Sequence, residues 1–167
     1  MQQTSDPTAE SVAQAKSQFE RINGRLLHLL TFVPDDKLTW APSPTAKSAL
    51  QIVAHSALTS RIFAKLITGT MPEPMPAPAE FLVSLVPEVD CYPTRESVTD
   101  LVNETSAELC EAFGAITSEN IDSPVNSPFG PIPIRFWMGL GHDHMAGHVG
   151  QLEYVQTIWG DLDNHMG

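Results

Sequence analysis

Apolar residues recur at three- and four-residue intervals through four long segments, and the stretches between those segments are broken by proline, glycine and other turn-forming residues. That period lays a single apolar stripe along an α-helix and does not alternate as a half-buried strand would, so it restricts the chain to packed helices. The first segment runs from about Pro7 to Phe32, with Asp6 placed to cap it and Pro7 at the first helical position. Its stripe is Val12, Phe19, Ile22, Leu26, Leu29 and Leu30, and Val33-Pro34-Asp35-Asp36 ends it. The second begins at Ser48, where Ser48-Ala-Leu-Gln51 has the form of a capping box, and continues to about Ile67, ahead of Gly69. The third has Thr94 as its N-cap, reaches about Ile116, and turns Val98, Leu101, Val102, Leu109 and Phe113 inward. The fourth extends from about Pro133 to Trp159, with Gly160 as a natural stop.

The connections carry the rest of the topology. Residues 70–93 hold six of the fourteen prolines, a stiff stretch long enough to cross over along the bundle instead of closing a tight hairpin. Within it, Phe81 to Val86 fits either a short helical turn or an extended piece. Between the third and fourth helices, Ile132, Ile134 and Phe136 suggest a short extended element around Gly130. The expected architecture is all-α: one domain over residues 1–167, a four-helix bundle with a long proline-rich crossover between helices 2 and 3. Glycines 139, 141, 147 and 150 each cost the fourth helix about 1 kcal/mol relative to alanine, which predicts close approach of a neighbouring helix there.

Nine Lys and Arg against twenty Asp and Glu give a net charge of −11, and the basic residues are scattered. A surface of that sign repels phosphate backbones and anionic lipids, so neither a nucleic acid nor a membrane surface is an expected partner. No run approaches the roughly 18–20 apolar residues of a membrane span. Met1-Gln-Gln-Thr-Ser-Asp-Pro lacks the basic start and apolar stretch of a signal peptide, which predicts a cytoplasmic location. Cys91 and Cys110 match no metal or redox spacing and read as buried or incidental thiols.

The chemistry concentrates in the fourth helix. His144 and His148 are one turn apart, and Trp137, His144, His148, Gln151 and Val155 share a stripe whose ends are apolar. A buried imidazole without partners costs about 1–3 kcal/mol, so each ring needs satisfying. On the second helix His55 shares a stripe with Ile52, Leu58, Ile62 and Leu66. One His from one helix and an i, i+4 pair from another make three nitrogen ligands, leaving positions open for water or substrate. Zn²⁺ fits the ligand type best, and Ni²⁺, Fe²⁺ and Mn²⁺ also accept imidazole. Hydrogen bonds alone could equally satisfy these rings. Gln51, Gln151, Asp143 and Tyr154 are the candidate neighbours of the site. Trp40 is a further one, although packing at the bundle end accounts for it as well. No catalytic residue can be named, and His28 and His165 read as incidental, the latter in a frayed tail.

Several pieces carry a resemblance: Val33-Pro34-Asp35-Asp36-Lys-Leu-Thr-Trp40-Ala-Pro42, Ser48-Ala-Leu-Gln-Ile-Val-Ala-His55, and His144-x3-His148-x-Gly150-Gln151 followed by Trp159-Gly160. In this order they resemble the DinB/YfiT-like superfamily of bacterial metal-binding four-helix bundles. The resemblance implies a divalent metal held by His55, His144 and His148, and often a homodimer. It also implies thiol-dependent transferases, in which the metal activates a low-molecular-weight thiol towards a small-molecule substrate, or hydrolases. The alternative is a non-catalytic or stress-response bundle in which the metal is structural. Val149 departs from the family pattern, which often has Arg there, so any anion contact made by that Arg is missing.

Overall fold

The computed structural model describes residues 6–84 and 89–166. Asp6 caps α1 (Pro7–Phe32), its carboxylate accepting from the Thr8 backbone N–H at 2.9 Å. After a 3₁₀ turn at Asp35–Lys37, α2 (Ala49–Thr68) opens on the capping box: Gln51 N–H donates to Ser48 Oγ at 3.3 Å and Ser48 N–H to Gln51 Oε1 at 3.0 Å. Gly69, at φ +67°, closes it in the left-handed conformation that glycine adopts without strain. In the crossover, α3 (Pro78–Val83) makes Phe81 to Val83 helical and ends on Ser84, while Leu85 and Val86, the end of that segment, lie outside the described residues. Thr94 caps α4 (Arg95–Gly114), and α5 spans Ile134–Ile158.

The helix directions follow from which ends meet. Leu50 N–H donates to Leu38 O at 3.1 Å, and the Arg95 guanidinium donates to Leu30 O and, at 2.7 Å, to Val33 O. Both α2 and α4 therefore start beside the C-terminal end of α1 and run the same way, which requires the long crossover between them. The start of α5 lies against the end of α4, and its last turn reaches Trp40, whose ring meets Trp159 edge-on at 5.8 Å. Hence α5 is parallel to α1 and antiparallel to α2 and α4. Helix α2 is the central one, packed on both α4 and α5 and buried almost all round. Ser56 and Ser60 survive there because each hydroxyl donates to the carbonyl four residues earlier, at 2.8 and 3.0 Å.

Two expectations are corrected. The extended element near Gly130 is confined to a two-residue ladder, β1 (Pro124–Val125) against β2 (Ile132–Pro133), because Ile134 and Phe136 already belong to α5. Close packing explains only Gly141, where a Cβ would stand 3.2 Å from Leu109 Cδ2 and 3.4 Å from Phe113. At Gly139, Gly147 and Gly150 a Cβ would meet nothing within 4 Å, and nothing in the structure accounts for glycine there.

The tail after α5 folds back on α1 instead of fraying. His165 stacks on Phe32 with centroids 4.0 Å apart, and its Nε2 lies 2.8 Å from Asp161 Oδ2. Arg25 donates to the carbonyls of Asn164 (2.6 Å) and His165 and pairs with Glu153 at 2.7 Å. His28, edge-on to Phe32 at 5.0 Å, completes this cluster, so neither of these histidines is incidental to packing.

Candidate metal centre

Because α2 and α5 are antiparallel, residues late in one lie beside residues early in the other. Phe63 accordingly meets Trp137 (6.1 Å between centroids) and His144 (5.6 Å), and His55, two turns back along α2, reaches the His144–His148 pair. Ring centroids stand 5.4 Å apart for His55–His144, 4.8 Å for His55–His148 and 4.5 Å for His144–His148. One nitrogen from each ring can be chosen so that all three lie within 4.8 Å of one another, and among the described residues this is the group of side chains able to hold an ion.

The protonation states suit ligands. Burial pushes His55 down to about 4 and His144 down to about 3, helped in both by the neighbouring His148 and by Lys47. Burial also lowers His148, against the hydrogen bond its ring donates to Gln151 Oε1, which raises it. All three rings are thus neutral at neutral pH, the form that coordinates metal. His148, only 8 % exposed, has its tautomer set: Gln151 Oε1 lies 2.8 Å from Nδ1 and can only accept, so Nδ1 carries the proton and Nε2 is bare. That bare nitrogen faces His144 Nε2 at 3.2 Å. Two such nitrogens can share one proton or one cation. Ligand nitrogens about 2.0–2.1 Å from a tetrahedral zinc ion are separated by about 3.3–3.4 Å, close to the spacing seen here.

An apolar cavity of about 200 Å³ opens beside His55 and His144, walled by Phe63, Trp137 and Leu140. Trp137 Nε1 is buried and has no hydrogen-bond partner among the described residues. Among the described residues no Asp or Glu lines this cavity. A larger one, about 480 Å³, lies around Arg61, Lys65 and Glu108 and shares no residue with the triad.

The other candidates divide. Gln151 holds His148, as a ligand-orienting partner does. Gln51 is engaged at both ends, by its capping box and by Asp90, to which Nε2 donates at 2.8 Å. Asp143 is exposed and pairs with His142 at 3.1 Å, one position away from the stripe that carries the triad. Tyr154 is 69 % exposed, and Trp40 packs on Trp159 under Lys37, away from the triad. Arg61 ties α2 to α4 through Glu104 (3.0 Å) and Glu108 (2.9 Å). Both cysteines are free; Cys91 is exposed, and burial with Glu20 nearby pushes the Cys110 thiol up, making it a poorer nucleophile. Phe63 and Thr59 were not singled out from the sequence, although they follow His55 at the i+8 and i+4 positions of the same helix face.

The model of the DinB superfamily matches residues 18–152. Among solved structures, the chain is similar to a DinB-like protein, YjoA, from Bacillus subtilis, at 18% identity and a TM-score of 0.66, covering 90% of this chain and 94% of that one. It is similar also to a conserved protein from Enterococcus faecalis, at 15% identity and a TM-score of 0.66, over 89% of this chain and 97% of that one. No curated protein matches.

Proposed function

The chain belongs to the DinB superfamily, and from that premise we propose that His55, His144 and His148 hold a divalent metal ion, zinc first, in a thiol-dependent transferase or a hydrolase. The superfamily is generally metal-binding. The observation that carries the reading is the bare Nε2 of His148 facing His144 Nε2 at 3.2 Å, with His55 closing the group. Bound there, the ion would act as a Lewis acid, lowering the pKa of a coordinated thiol or water to give a nucleophile at neutral pH.

The protein's own residues supply orientation and dryness. Gln151 keeps Nε2 of His148 turned inward, and burial keeps all three rings neutral. Phe63 and Trp137 exclude water from one side. Among the described residues no carboxylate lines that cavity to serve water as a general base, and Asp90, in the adjoining recess, is engaged by Gln51, whereas a coordinated thiol ionises without a base. This favours transfer over hydrolysis. Three protein ligands beside an open cavity also favour a working site over a closed structural one.

Elemental analysis of untagged protein tests the first half: near one equivalent of metal is expected, lost in His55→Ala. Consumption of an electrophile that requires both thiol and metal tests the second. Metal retention by His55→Ala would remove the triad reading. Stoichiometric metal without turnover with any common low-molecular-weight thiol would leave the structural alternative.

A further inference from the structure

His55 stands between two spaces. One is the apolar cavity, about 200 Å³, rimmed by Phe81, Leu82 and Phe129. The other is a recess of about 260 Å³ bounded by Lys47, Gln51 and Asp90. His55 and Leu82 line both, so the two meet at the edge of the triad.

The apolar side has wet apolar surface at its mouth: Leu82 is 68 % and Phe129 49 % exposed, and Phe129 meets Phe81 edge-on at 5.8 Å. Exposed apolar side chains grouped around a cavity mark a place where apolar matter docks. A cavity of about 150 Å³ suffices for benzene, so this one has room for a single aromatic ring or a short alkyl chain.

The polar side has the opposite character. Lys47 has no carboxylate partner among the described residues, and its charge acts on all three triad histidines. In a chain of net charge −11, a cation with no ion-pair partner among the described residues, set beside neutral rings, is a local positive charge that can draw a single anion. Asp90 lines the same recess, its Oδ1 accepting from Gln51 Nε2, and opposes a second negative charge.

We propose that the site takes an amphipathic monoanion, with its ring or short alkyl group in the Phe63–Trp137 cavity and a carboxylate-type group beside Lys47. The part of the molecule joining the two groups then crosses His55, within reach of the triad. This names the substrate class of the metal site proposed above and rests on that reading for its chemistry, though not for the binding itself.

Calorimetric titration with 4-phenylbutanoate, 4-phenylbutanol and butanoate, on metal-free and zinc-loaded protein, tests it. The metal-free arm keeps direct coordination of carboxylate from being mistaken for recognition by Lys47. In that arm 4-phenylbutanoate should bind at least tenfold tighter than either of the other probes. Lys47→Gln should reduce it to the level of 4-phenylbutanol and leave the alcohol unchanged. The double variant Leu82→Ser/Phe129→Ser should weaken both aryl probes and not butanoate. All three side chains are at the surface, and unchanged circular dichroism checks that the variants fold. Lys47-dependent binding without zinc uptake would remove the metal reading and support this one. Stoichiometric zinc with carboxylate binding unaltered in Lys47→Gln would overturn this one alone, as would equal loss of acid and alcohol.

Discussion

Gln151 Oε1 lies 2.8 Å from His148 Nδ1, one helical turn along α5 from a ring whose other nitrogen faces His144. That bond fixes which nitrogen carries the proton, so it acts on metal binding without touching the metal. Partners of this kind typically change affinity 10–100-fold when removed. Gln151→Leu is expected to weaken zinc binding by about that factor, measured by competition with a chromophoric chelator. Gln151→Glu, which still accepts from Nδ1–H, should keep wild-type affinity or exceed it. Equal affinity in the Leu and wild-type proteins would mean that packing alone orients the ring.

The depressed histidines set the pH dependence of the metal-free protein. A histidine whose folded pKa lies below its unfolded value of about 6.5 leaves the unfolded chain holding more protons between the two, so stability rises with pH across that window. For His55 the window runs from about 6.5 down to about 4, and for His144 down to about 3. Urea midpoints taken in chelator should therefore fall as pH drops from 7 to 4.5, before most carboxylates titrate. His144→Gln should flatten that slope. Excess zinc at pH 7 should raise stability by about 2.7 kcal/mol at one hundred times its dissociation constant.

Three of the α5 glycines are open to improvement and one is not. Gly147→Ala and Gly150→Ala add a methyl to open space and remove glycine's backbone freedom, a gain of up to about 1 kcal/mol each. Gly141→Ala brings its Cβ to 3.2 Å from Leu109 Cδ2, so packing offsets the gain. Thermal melts should rank Gly147→Ala and Gly150→Ala above wild type and Gly141→Ala below them. A Gly141 variant as stable as the other two would mean that Leu109 yields freely.

Features set by short-range physics were legible in the residues. Asp6, Ser48 and Thr94 cap their helices because each side chain reaches a backbone N–H only two or three residues ahead. The triad was legible for a similar reason: His144 and His148 share a face by helical geometry alone, and His55 lies on the core side of α2. What surrounds the triad was not. Phe81 and Phe129 meet only because the crossover and the hairpin happen to fold over the same end of the bundle. Lys47 sits in loop sequence before α2, where nothing local says which way it turns. The glycines misled because a propensity argument cannot tell an open position from a crowded one. The tail misled because its order comes from Arg25, far away in sequence.

That tail gives the last prediction. Arg25, its side chain 21 % exposed, donates to Asn164 O and His165 O and pairs with Glu153, while Phe32 stacks on His165. The exposed ion pair contributes little, about 0–1 kcal/mol. Charge-assisted bonds to two backbone carbonyls hold more, because no other described side chain donates to them. Arg25→Ala should therefore release residues 161–166: their amide exchange should speed up strongly while that of the middle of α5 stays unchanged. Global stability should fall by only about 1–2 kcal/mol, since the α1–α5 core residues Phe19, Leu26 and Leu152 keep their packing. Phe32→Ala should loosen the same segment to a lesser degree. If Phe32→Ala frees the tail and Arg25→Ala does not, the stacking carries the order and the guanidinium is incidental.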